Sequence, residues 1–167
     1  MTSAVATSLE EYLETTYRPD REYIDGEVRE RNMGSWEHSR VQLILAAWFF
    51  TNEAAWGTTS ATEWRTQVSG TRIRLPDVIV TVKRQQPRVQ IEPPLLAVEI
   101  LSPEDTYTET MARTRDYSAM GVLTSWIIDP QARIGWMGHN GTWIESTRLH
   151  VPGTDIYAEL ADIFNKM

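Results

Sequence analysis

Apolar residues recur at helical spacing in WEHSRVQLILAAWFFTNEA. Val41, Leu43, Ile44, Ala47 and Trp48 predict one stripe of a helix from about Trp36 to about Glu53, apolar side on a sheet. Most other apolar positions form strand-like runs. REYIDGEVRER (21–31) alternates about Asp25-Gly26 and predicts a tight hairpin. TEWRTQV (62–68) and TRIR (71–74) flank a Ser69-Gly70 turn. RLPDVIVTV (74–82), LLAVEILSP (95–103) and VLTSWIID (122–129) are rich in Val, Ile and Leu and predict buried strands. ARIGWMGHNGTWIES (132–146) predicts a second hairpin with Asn140-Gly141 at its tip. KRQQPRVQIEPP (83–94) is a polar connection. Ser8, with Glu11 three residues later, opens a short helix as in a capping box. Ser102 as cap and Pro103 at the first helical position predict a helix running to about Met120 and stopping at Gly121. Asp155 to Phe164 predicts a closing helix. The order αββαβββαβββα implies an α/β (α+β) fold, one mixed central sheet with helices on its faces.

Two of the buried runs carry a carboxylate among hydrophobic residues, Asp77 and Glu99. Leaving such a group unpaired in a core costs several kcal/mol or more. Strand alternation puts Leu75, Asp77, Ile79 and Thr81 on one face, and Ala97, Glu99 and Leu101 on one face. If the strands are neighbours the two acids converge, and a divalent cation would reconcile them. The competing explanation is that each acid pairs with a structural arginine, such as Arg72 or Arg74. Glu27 directly follows the hairpin turn, where a solvated residue is expected. His38 lies in the first turn of the long helix and can donate to phosphate, act as a base or pack. Arg113 and Arg115 read by themselves as surface residues.

Composition narrows the picture. The 167 residues, 41% apolar with seven Trp, suit one domain with a real core. The longest apolar run, VQLILAAWFF (41–50), is too short to span a membrane. The first residues, MTSAVATSLEEY, have neither the basic start nor the apolar stretch of a leader. With no cysteine there is no disulfide, thiolate nucleophile or Cys-based zinc site, which fits a cytoplasmic protein. A net charge of −7 argues against a broad phosphate-binding face. No Gly-rich phosphate loop, Gly-x-Ser-x-Gly elbow or H-E-x-x-H is present.

EYIDGEVRE (22–30), the helix start with His38, RLPDVIV (74–80), AVEILSPED (97–105), DYSAMGV (116–122) and SWIIDP (125–130) occur in this order. Together they resemble the Uma-type restriction endonuclease family of the PD-(D/E)XK nuclease superfamily, over roughly residues 9 to 165. The resemblance implies a restriction-endonuclease-like mixed sheet and a metal-dependent DNA endonuclease using Mg2+ or Mn2+, in which two copies pair as a homodimer. It implies that Asp77 and Glu99 hold the metal, with the carbonyl of Ile100 and with Glu27 directly or through water. His38 matches a recurring histidine at the start of the first long helix.

One position departs from the pattern. The superfamily places Lys two residues after the second acid, where this chain has Leu101. The Uma-type family has it on the following helix, four residues before the tyrosine matched by Tyr117, and there this chain has Arg113. Arginine keeps the charge but stays protonated, so it serves as transition-state stabiliser and not as base. The alternative expectation is therefore a catalytically degenerate member that binds DNA or acts in assembly, and a third is a structural protein with buried ion pairs.

Overall fold

The computed structural model describes residues 6–167; residues 1–5, which bear on the expected lack of a leader, lie outside the described residues. The chain opens with α1 (Leu9–Glu14), capped by the Ser8 hydroxyl, which accepts from Glu11 N. The hairpin β1 (Glu22–Ile24) and β2 (Glu27–Arg29) turns at Asp25 and Gly26, both at positive φ (51° and 94°), as a tight primed turn requires. β1 pairs with β5 (Arg72–Arg74), and β5 with β4 (Thr66–Ser69), giving a four-stranded antiparallel sheet in the order β2-β1-β5-β4. Tyr12, Tyr23 and Ile73 are buried between this sheet and α1.

The larger sheet has six strands in the order β10-β9-β8-β7-β6-β3. They are β3 (Thr58–Thr62), β6 (Val78–Val82), β7 (Leu96–Ile100), β8 (Thr124–Asp129), β9 (Ile134–His139) and β10 (Thr142–Glu145). Only β7 and β8 run parallel, because α3 (Tyr107–Met120) provides the crossover between them. The sheet is mixed, and helices flank it. One face packs on α2 (Trp36–Trp56) through Val41, Leu45 and Phe49 against Val78, Val80, Leu96, Val98, Trp126 and Ile128. Each fully buried side chain of this set contributes about 1.5–3 kcal/mol. A short pair, β11 (Arg148–His150) and β12 (Tyr157–Glu159), and α4 (Leu160–Phe164) close the same core.

Several expectations are corrected. Five strands, not three, lie between α2 and α3: TTSAT after Gly57 adds β3 at the sheet edge, and Arg72–Arg74 and Val78–Val82 are separate strands in different sheets. The inward stripe of α2 is His38, Val41, Leu45 and Phe49; Leu43 and Ala47 are exposed. α3 starts not at Ser102-Pro103 but after Thr106, whose capping box with Glu109 satisfies both the cap and the third residue. Ser102 and Asp105 form a turn instead, Ser102 N donating to Asp105 Oδ2 at 2.7 Å. The segment from Asp155 is half strand, and only its last turn is helical. Among the described residues, no helix is long and apolar enough to cross a membrane.

Candidate active site

The register of β6 on β7 explains why the two acids meet. Val78 lies opposite Val98, so one residue further along Asp77 comes opposite Glu99. Asp77 is fully buried and Glu99 is 2% exposed. Asp77 Oδ2 accepts the Ile100 N–H at 2.7 Å, a side chain standing in for a ladder bond just outside β6. Its Oδ1 accepts from Arg31 Nη2 at 2.6 Å and lies 3.2 Å from His38 Nε2. Glu99 Oε1 accepts a short hydrogen bond from the Tyr117 hydroxyl on α3. Its Oε2 lies 3.7 Å from Arg113 Nη1, one turn earlier on the same helix.

Around this pair runs a ring of further charges. Glu22 on β1 accepts from Leu75 N at 3.2 Å and from Arg74 Nη1 at 2.7 Å, and its Oε1 is 4.0 Å from Arg113 Nε. Arg74 also pairs with Asp116 at 2.7 Å. Asp105 accepts from Arg113 Nη1 at 3.3 Å and from Asn32 Nδ2 at 3.1 Å. A cavity of about 310 Å³ opens over the cluster, and Arg31, Asn32, His38, Asp105 and Arg113 line it.

The environment drives the two acids apart. Burial and the charge of Asp77 push Glu99 up to about 7, against the pull of Arg113, Arg31 and the Tyr117 hydrogen bond. Burial also opposes the charge on Asp77, but His38, Arg31 and the Ile100 N–H outweigh it and hold that carboxyl below its ordinary value. Burial would lower His38; its hydrogen bond to Asp77 prevails and raises it. The cluster therefore holds one firmly ionised carboxylate beside one that takes up a proton near neutrality.

Of the residues expected from sequence, Asp77, Glu99, His38 and Arg113 come together, and Ile100 borders them through its N–H. Glu27 does not join them. It is exposed on the outermost strand β2, where its carboxylate takes the Arg29 guanidinium at 2.7 Å. The acid that the hairpin does deliver is Glu22, whose strand is buried at all three positions. The pairing alternative holds for both acids, though with other arginines: Asp77 pairs with Arg31 and Glu99 with Arg113, while Arg72 and Arg74 serve Asp25, Asp116 and Glu22. Among the described residues, no group of three or more His, Asp or Glu side chains is gathered as a metal cage.

Sequence reasoning passed over Glu22, Arg31 and the contact that Tyr117 makes. Only Tyr117 left a signal, as an aromatic residue at the four-residue spacing from Arg113 that puts both on one helix face. Glu22 looks like any hairpin residue, and Arg31 reaches its partner across 46 positions of sequence.

No curated protein matches the chain. Among solved structures, it is similar to a protein described as "a putative nuclease belonging to DUF820 from Anabaena variabilis ATCC 29413", at 20% identity and a TM-score of 0.79. That match covers 95% of this chain and 97% of the other, and it shows a shared fold. A "DrdV-DNA complex" matches 73% of this chain and 10% of that one at 15% identity, with a TM-score of 0.42, too low to carry an argument. The family model described as "Putative restriction endonuclease" matches residues 9–150, and the chain belongs to that family, Uma2.

Proposed function

We propose that the protein is a metal-dependent DNA endonuclease that hydrolyses phosphodiester bonds at the Asp77–Glu99 pair. The observation that carries this reading is geometric: two buried carboxylates, Asp77 and Glu99, stand opposite each other on paired strands beside a cavity lined by Arg31, His38 and Arg113. The donor chemistry fits a small hard cation, Mg2+ or Mn2+, whose ligands are carboxylate and carbonyl oxygens and water. Asp77 and Glu99 would hold it, with the Ile100 carbonyl as a further ligand, and Arg31 would have to release Asp77. Glu27 is not part of the proposed set.

A bound cation would supply a water of lowered pKa and neutralise charge on the scissile phosphate. The protein's own groups do the rest. Tyr117 fixes Glu99 by donating to one of its oxygens. Arg113, permanently charged and facing the cavity, offers N–H donors to the equatorial phosphate oxygens as charge builds there. His38, whose hydrogen bond to Asp77 favours its protonated form, adds a second donor. Arg31, once off Asp77, is a third cation for the same phosphate. A cytoplasmic location and a homodimer, one copy per DNA strand, belong to the same reading.

Plasmid nicking in Mg2+ or Mn2+ tests it: wild type should cut, and Glu99→Ala and Asp77→Ala should not. Equal cation binding by Asp77→Ala and wild type in a calorimetric titration would remove the metal site. A second reading is favoured by the Arg31–Asp77 ion pair and by arginine at position 113: a nuclease fold that binds DNA without cutting. For that reading wild type does not nick, and Arg113→Lys or Arg31→Ala restores cleavage if the defect is local.

A further inference from the structure

The strand register carries the site sideways across the sheet. Glu99 lies opposite Ile127, and Ile127 opposite Trp136, so the three share the α3 face, with Trp136 two strand spacings from Glu99, roughly 10 Å. On β10, Trp143 lies opposite Gly138, and its indole covers that glycine so closely that a Cβ there would sit 2.6 Å from the ring. A second cavity, of 290 Å³, opens between these strands and the first turns of α3. Its walls are Leu101, Ile127, Trp136, Trp143 and Tyr107, the last 79% exposed at the rim. Asp105 borders both this cavity and the one over the carboxylate cluster.

One polar group in the wall is unexplained. Thr110 is 3% exposed, and among the described residues its Oγ1 has no hydrogen-bond partner. A buried hydroxyl left unpaired is unfavourable, so its place in the wall of a cavity points to a ligand with a polar edge. Apolar and aromatic walls with one such group suit a flat heterocycle that has π faces and hydrogen-bonding edges.

We propose that this cavity receives one unstacked nucleobase of the DNA strand whose phosphate lies at Asp77 and Glu99. The inference rests on the nuclease reading. The base stacks on Trp136 and Trp143, and Thr110 Oγ1 meets its edge. Stacking on the aromatic walls offsets the cost of taking a base out of a duplex, and a single strand escapes most of that cost.

The test is fluorescence anisotropy in Mg2+ with a labelled single-stranded oligonucleotide, phosphorothioate-linked to resist cleavage, beside an abasic strand of equal length. Trp143→Ala, on the outermost strand of the sheet, should weaken binding of the base-bearing strand by roughly fivefold to a hundredfold. It should leave the abasic strand unchanged. Thr110→Val, which keeps shape and removes the hydroxyl, should weaken the base-bearing strand by roughly threefold to tenfold. Equal binding of the base-bearing strand to wild type and both variants overturns the base site while leaving the nuclease reading standing. Wild type that binds neither strand and nicks no plasmid overturns both.

Discussion

The two faces of the six-stranded sheet are built from the same strands and follow opposite rules. On the α2 face, Val78, Val80, Leu96, Val98, Trp126 and Ile128 form a dry core without a charge. On the α3 side, the alternate positions of β7 include Glu99, and the residue just ahead of β6 is Asp77, both buried as deeply as the valines. Burial stabilises the first face and strains the second. The lesson is that depth alone does not mark a core: a buried charge network of arginines and acids occupies space that Leu and Val would fill more cheaply. Such networks persist where chemistry needs them.

Substitutions at equivalent depth should separate the faces, beginning with the largest effect. Asp77→Ala and Glu99→Ala should lose cation binding and nicking altogether, read by titration calorimetry and plasmid relaxation. Leu45→Ala should cost about 2–5 kcal/mol in urea unfolding, by the same amount at pH 6 and pH 8. Glu99→Gln should behave in the opposite way. Folded Glu99 keeps its proton up to about 7, while the unfolded chain releases it near 4.5. The native state thus binds more protons in that window, and stability falls as pH rises through it, by on the order of 3 kcal/mol. Glutamine removes that loss, so Glu99→Gln should be more stable than wild type at pH 8 and about equal at pH 4. A variant no more stable at pH 8 would mean that the Glu99 charge is already balanced. His38 acts in the same direction from the ordinary histidine value of 6.5 upward, since the stabilisation behind its raised pKa is lost as it deprotonates. The smallest effect concerns Arg31→Gln. It should tighten Mg2+ binding by about tenfold, about the worth of one charge-assisted hydrogen bond, because the cation no longer competes with a guanidinium for Asp77. Unchanged affinity would show that Arg31 and the cation do not share that oxygen.

Legibility in the sequence followed the same divide. Asp77 and Glu99 stood out because each interrupts a run of Val, Ile and Leu, and a charge there demands an explanation. The hairpin tips at Asp25-Gly26 and Asn140-Gly141 were legible because positive φ restricts the residues allowed. Glu22 was not legible. β1 has only three residues, and all are buried, so alternation had no exposed face to contrast. Arg31 sits in a polar loop without period, and its partner is fixed by tertiary contact alone. The start of α3 was misplaced because Ser102-Pro103 and Thr106 with Glu109 are both plausible caps, and Asp105 decides between them by binding Ser102 N. The stripe of α2 was misassigned because nearly every turn of it carries apolar residues on both sides, Leu43 and Phe50 outward, Leu45 and Phe49 inward.

The hydrogen bonds that Tyr117 and the Ile100 amide make have a bearing on ion choice. Each engages one oxygen of its carboxylate and so favours metal contact through the other oxygen alone. An ion seated there would find single-oxygen ligands and fill the remaining coordination positions with water. Calcium, which seeks six to eight oxygens and favours two-pronged carboxylates, is poorly served by such a seat, whereas magnesium, reluctant to shed its hydration shell, suits it.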